Sequence, residues 1–179
     1  MGYIGMGTIV KRASGIMILI QDELERVSIN IQKQLSMDNL KFQYSTMNEF
    51  ITEMSKIKNE NKKFPFFFVH SLGVSYDNSN NDIICTVKDI IIAVDSNSNW
   101  TSDIRDKKTI KPILLPIYDT FLDKLTRDRG IEIQSKGKVI VHYFYGNTGF
   151  AGYDGEIYPD HIDAIQLTDF KFRIINKNC

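Results

Sequence analysis

Apolar residues recur along this chain with two periods, and the points where one gives way to the other mark out its elements. Leu24, Val27, Ile31 and Leu35 are spaced 3, 4 and 4 apart, which predicts a helix from about Asp22 to Leu35. Asp22 and Glu23 fall in its first turn, where the helix dipole favours negative charge. Met47, Phe50, Ile51, Met54 and Ile57 predict a second helix from about Met47 to Lys58. Thr46 and Glu49 have the spacing of a capping box at its start. Ile110, Ile113, Leu114, Ile117, Phe121 and Leu125 predict a third, running to about Arg127. Pro112 suits its first turn, Pro116 should bend it or delay its start, and Gly130 is a plausible stop.

Elsewhere the period is two, or the run is apolar throughout. Phe64 to His70 is an aromatic stretch apolar on both faces, as in a strand covered by layers on both sides. Pro65 restricts that strand to starting there or lying at an edge. Residues 77–82 are concentrated turn chemistry and should join a strand near Gly73–Tyr76 to a long one from Ile83 to Val94 as a hairpin. The long strand changes phase midway. Ile83, Cys85 and Val87 share one parity, Ile90, Ile92 and Val94 the other, with Lys88 and Asp89 at the change. A bulge or sharp bend there would keep both halves in apolar surroundings. The strand is longer than a small core needs, so part of the hairpin is expected to project as an arm.

Residues 95–109 read as a long polar loop carrying the only tryptophan, Trp100. Ile131–Gln134, a hairpin turn at Ser135–Lys138, Val139–Tyr145 and a last strand over Ile162–Ile175 complete the β portion. The last strand also changes phase, between Ile165 and Leu167 on one side and Phe170, Phe172 and Ile174 on the other. Residues 1–20 hold Gly2, Gly5, Gly7 and Gly15 and match neither a phosphate-binding loop nor a dinucleotide fingerprint. They are expected to form a flexible N-terminal arm before a single domain over 21–179. The expected fold class is α+β, a mostly antiparallel sheet with helices packed on one face and a long projecting β-hairpin.

Composition narrows the function. The 179 residues carry 22 Lys plus Arg and 22 Asp plus Glu, hence no formal net charge. A dedicated nucleic-acid binder would show a basic excess. With 42% hydrophobic residues and that balance, disorder is not expected. The only cysteines, Cys85 and Cys179, fit neither a disulfide framework nor a zinc motif. No apolar run reaches the length of a membrane-spanning helix. Lys11 and Arg12 precede an apolar patch, Gly15–Ile20, that is too short for a signal peptide.

Three polar groups are candidates for chemistry. His70 ends the aromatic strand, where a general base would need a carboxylate orienter and a cleft. Asp160, His161 and Asp163, with His142, could supply a metal with imidazole and carboxylate ligands, as in a small metal-dependent hydrolase. Asp95, Asp103 and Asp106, with Arg105, crowd the long loop in the manner of a magnesium site for phosphoryl chemistry. Each group also reads as ordinary strand-end or solvated-loop composition, and no catalytic motif stands out. Aromatics are more suggestive. Those in strands suit a core, whereas Trp100, Phe150 and Tyr153 lie in loops, where aromatics serve as interface anchors.

The layout resembles the tail-terminator and neck-ring proteins of tailed bacteriophages, including those of crAss-like phages. The resemblance is carried by the helical N-terminal half leading into Lys63–Phe68 and by the long hairpin ending in Asp89–Val94. The polar loop with Trp100 and Arg105, the helix opening Lys111–Tyr118 and the terminal strand Ile162–Leu167 complete it. It covers roughly residues 20–175. It implies a non-enzymatic virion protein without cofactor or metal, assembled in the bacterial host cytoplasm. Such a subunit would form a homo-oligomeric ring of six or twelve copies that joins head to tail and terminates the tail. Its partners would be other neck, portal or tail proteins, with DNA only passing through the lumen and no membrane contact. On this reading Trp100, Arg105, Tyr76, Phe150 and Tyr153 are interface residues. A monomeric protein-binding module is the remaining alternative, distinguished by stoichiometry.

Overall fold

A computed structural model describes residues 6–46, 48–50, 52, 64–77, 82–127, 131–143, 145 and 161–174; within these, the side chains of 6–19, 76, 77 and 82 are outside the description. The elements are α1 (Met6–Leu35), β1 (Lys41–Tyr44), β2 (Phe66–Asp77), β3 (Asp82–Asp95), α2 (Ser102–Arg105), a π-helical run (Asp106–Leu114), α3 (Leu115–Arg127), β4 (Ile131–Ser135), β5 (Lys138–His142) and β6 (Ile162–Ile174). The class is α+β. One sheet of six strands runs β1-β2-β3-β6, with both β4 and β5 on the outer edge of β6. Every pairing is antiparallel except β1 with β2. A parallel pair needs a crossover connection, and the helical residues 48–50 lie in the segment that makes it.

The first helix carries the expected stripe. Leu24, Val27 and Ile31 are buried and Leu35 packs at the margin of the core. It begins at Met6 rather than at Asp22, so most of the expected arm belongs to this helix. The capping box before residues 48–50 is formed. The Thr46 amide donates to Glu49 Oε2 at 2.9 Å, and the Glu49 amide donates to Thr46 Oγ1 at 3.3 Å. Thr52 is also helical, and the remaining residues of the expected helix, 47, 51 and 53–58, lie outside the described residues.

The aromatic stretch and the first arm of the hairpin are one strand, β2. Its two faces are both dry at the Phe66 end. Phe67 faces the helix layer, its ring 5.0 Å from Phe121 of α3. Phe66 and Phe68 face the other way and meet Phe50, at 4.8 and 4.2 Å. Helical residues therefore cover both faces, not one as expected. Alternation along a strand sends neighbours to opposite sides, so a run of phenylalanines requires two covers.

The hairpin does not project. β3 is the central strand and is paired with β2 and β6 over nearly its whole length, from Ile83 outward. Its length is used to span a long sheet. The phase change falls on a row of left-handed residues in the neighbouring segments. Ser71 (φ 55°), Asp169 (φ 56°) and Gly137 (φ 62°) all take the left-handed conformation. Ser71 and Asp169 both lie opposite Lys88, between the pairs His70↔Asp89 and Leu72↔Val87 on one side and Asp89↔Thr168 and Val87↔Phe170 on the other. Gly137 sits between the pairs Ser135↔Lys171 and Lys138↔Thr168 on the next strand along. The strands thus change phase at one common row. Register between β2, β3 and β6 is kept, so no extra residue is inserted there.

Ser135–Lys138 is not a hairpin turn: β4 and β5 do not pair with each other but follow one another along β6. Gly137 allows this, because a Cβ there would stand 1.8 Å from the Thr168 carbonyl oxygen. The polar loop after β3 is short, since helix starts at Ser102 and continues as the π-helical run. Prolines explain the wide turns. A proline ring clashes with the carbonyl four residues back, which is Lys108 for Pro112 and Pro112 for Pro116. Stepping to the fifth residue, as the Leu115 amide does in donating to the Ile110 carbonyl, relieves that contact. Ile110, Leu114, Ile117, Phe121 and Leu125 then fill the core as their spacing predicted.

Candidate functional site

The loop between β3 and α2 is organised from within by Arg105. Its side chain is 1% exposed. Nε donates to the Trp100 carbonyl at 3.1 Å, and one terminal nitrogen donates to Ser96 Oγ at 2.7 Å and to Asp163 Oδ1 at 2.5 Å. The other terminal nitrogen donates to the Asn97 carbonyl. Asp163 is fully buried at the start of β6 and its second oxygen accepts from Thr109 Oγ1 at 2.8 Å. Arg105 therefore ties loop, π-helical run and sheet together. It thereby shapes the surface on which Trp100 sits. Trp100 is half-buried, with Lys108 Nζ 4.6 Å above its ring. Of the remaining expected interface residues, Tyr76 lies in β2 without a described side chain, and Phe150 and Tyr153 lie outside the described residues.

The polar clusters do not converge as ligand sets. Asp163 points into the helix layer, whereas His142, paired with the neighbouring Ala164, points to the opposite face. His161 is exposed, and Asp160 is outside the described residues. Past the loop, Asp103 of α2 binds Lys107 at 2.8 Å while Asp106 of the π-helical run accepts from the Tyr143 hydroxyl at 2.6 Å. That bond to a carboxylate raises the Tyr143 pKa, with burial adding to it. His70 faces the Ser45 carbonyl, 3.4 Å from Nδ1. Among the described residues, no three His, Cys, Asp or Glu side chains are grouped to hold a metal ion.

A polar chain that the sequence did not suggest crosses the face opposite the main helix layer. His142 Nε2 donates to Gln166 Oε1 at 2.9 Å, and Gln166 Nε2 donates to Asp89 Oδ1 at 2.7 Å. The ring of Tyr145 meets that of His142 edge-on at 5.0 Å. Burial lowers the His142 pKa, partly offset by its bond to Gln166. Burial also raises the Tyr145 phenol, and the charge of Asp89 adds to this. The only sequence signal was the row alignment of three polar residues from separate strands, which cannot be seen before strand pairing is known. The chain holds no nucleophile and its members satisfy each other, so its role is to fix side chains between strands.

The surface feature with the clearest capacity to bind is the edge strand β5. Val139 and Val141 are 41% and 44% exposed, and Tyr143 follows them on the same side. Among the described residues, β5 pairs only with β6. An uncovered edge with exposed aliphatic side chains invites another strand. No family model matches the chain, and no curated protein is significantly similar to it. No helix among the described residues is long and apolar enough to cross a membrane.

Proposed function

We propose that this protein is a structural subunit of the neck of a tailed phage, forming a ring that joins head to tail and terminates the tail. The observation that carries the reading is the β5 edge, which among the described residues pairs only with β6 and exposes Val139 and Val141 by 41% and 44%. A ring subunit needs two different complementary patches, since its contacts are head-to-tail and close by rotation. The neck position is the one that the resemblance in layout over residues 20–175 would imply. Zero net charge suits a conduit through which DNA passes without sticking.

The metal-dependent hydrolase is not favoured, because Asp163 and His142 face away from each other. The binding-module reading differs in stoichiometry. Native mass by light scattering over a wide concentration range, with imaging of any oligomer, tests the proposal. A closed ring of six or twelve copies is expected. A chain that stays monomeric up to millimolar concentration and binds a partner one to one would overturn the ring.

A further inference from the structure

Among the described residues, β1 and β5 each pair on one side only, and these two outer strands lie at the same level. β1 pairs Lys41↔Phe66, Phe42↔Phe67, Gln43↔Phe68 and Tyr44↔Val69. Those four rows continue through Ala93, Ile92, Ile91 and Ile90 of β3 and through Ala164, Ile165, Gln166 and Leu167 of β6. They end on His142, Val141, Ile140 and Val139 of β5. The outermost strands therefore occupy the same four rows of a five-stranded band. Their directions are opposed, because β1 runs with β2 and each later step across to β3, β6 and β5 reverses direction.

We propose that neighbouring copies join by strand addition, β5 of one copy pairing antiparallel with β1 of the next. The pairing rests on the ring reading above and names its contact. A rotation about an axis along the strands keeps strand direction, so it brings β5 of one copy and β1 of the next together in antiparallel sense. Level rows set Val141 opposite Phe42 of the next copy and Val139 opposite its Tyr44. Phe42 lies on the helix-layer face, stacked on Phe67 with ring centres 6.0 Å apart. Val139 and Val141 share that face, since their row partners are Leu167 and Ile165. The joint thus places exposed β-branched residues against half-buried aromatics, a favourable cross-strand combination. On the other face Ile140 meets Gln43.

Cysteine cross-linking of the full chain tests this. In a Cys179→Ser background, Gln43→Cys with Ile140→Cys in one chain should give a ladder of covalent oligomers under mild oxidation. The two single variants mixed should give dimers only, and either variant alone should give none. Val141→Lys, at an exposed site, should abolish the ladder while leaving the melting temperature unchanged. Dimers from Ile140→Cys alone would mean that β5 pairs with itself, and no ladder at millimolar concentration would mean that neither edge is joined; each overturns the proposal. A closed ring by native mass without a ladder would overturn the strand pairing and leave the ring. A ladder of particles that never close would keep the pairing and overturn the ring.

Discussion

Replacing Asp163 with Asn tests whether Arg105 anchors the loop and the π-helical run to the sheet. The change keeps the shape of the side chain and removes the buried counter-charge of a guanidinium that is 1% exposed. Removing one partner of a buried pair leaves the other charge uncompensated, which costs about 3–5 kcal/mol. The substituted amide could still present its oxygen to Arg105 or to Thr109, but not to both with full charge. That places the expected loss toward the lower end of the range. Domains of this size have roughly 5–15 kcal/mol in total, so a large part of the stability would go. At about 3 kcal/mol the melting temperature should fall by roughly 6–12 °C, at about 2–4 °C per kcal/mol.

Urea unfolding followed by fluorescence is the suitable assay, because Trp100, the only tryptophan, sits on a carbonyl that Arg105 holds. The midpoint should drop with the slope unchanged. Arg105→Met should also be destabilising, and the double variant should be milder than the sum of the two by roughly 0.5–3 kcal/mol. A loss below about 1 kcal/mol for Asp163→Asn, the scale of an exposed pair, would refute the assignment.

Three further outcomes are expected. Gly137→Ala should destabilise by more than the roughly 1–2 kcal/mol of a left-handed alanine alone, since its Cβ would collide with the Thr168 carbonyl; thermal melting reads this, and a neutral effect would show that the strand path there is wrong. His142 has a folded pKa below its unfolded value, so the unfolded chain binds the extra proton first and stability should fall as pH drops through about 6.5 toward the folded pKa. Urea midpoints at pH 8 and pH 5.5 measure that loss, and His142→Gln should flatten it relative to the parent. Burial pushes the Cys85 thiol up to about 12, so in a Cys179→Ser background a thiol reagent should leave the native protein unmodified and react once it is unfolded.

Periodicity located what depends on nearest neighbours along one strand or helix. The stripe Leu24, Val27, Ile31 and the stripe from Ile110 to Leu125 were legible because each buries one helix face. The phase changes around Lys88 and between Leu167 and Phe170 were legible too, because burial alternates visibly on either side. What the sequence hid depends on partners far away in the chain. β1 is only four residues long and too short for a periodic signal. Ser135–Lys138 has hairpin chemistry, yet β6 offers its edge to both flanking segments and takes them in line. Arg105 looked like one charge in a solvated loop. Only the arrival of Asp163 and Thr109 from elsewhere in the chain and from the next helical turn makes it internal. The His142–Gln166–Asp89 chain is likewise a property of strand order.

The shared row of left-handed residues also limits how this sheet can change in length. A single-residue insertion or deletion in β3, on either side of Lys88, would send one half of that strand to the wrong face while β2 and β6 kept theirs. A neighbour could not absorb the slip, because Ser71 in β2, Asp169 in β6 and Gly137 in the link between β4 and β5 mark the same row. Matched changes in β2, β3, β6 and that link would be needed at once. Length variation should therefore be tolerated at the ends of the strands and excluded from the middle of the sheet.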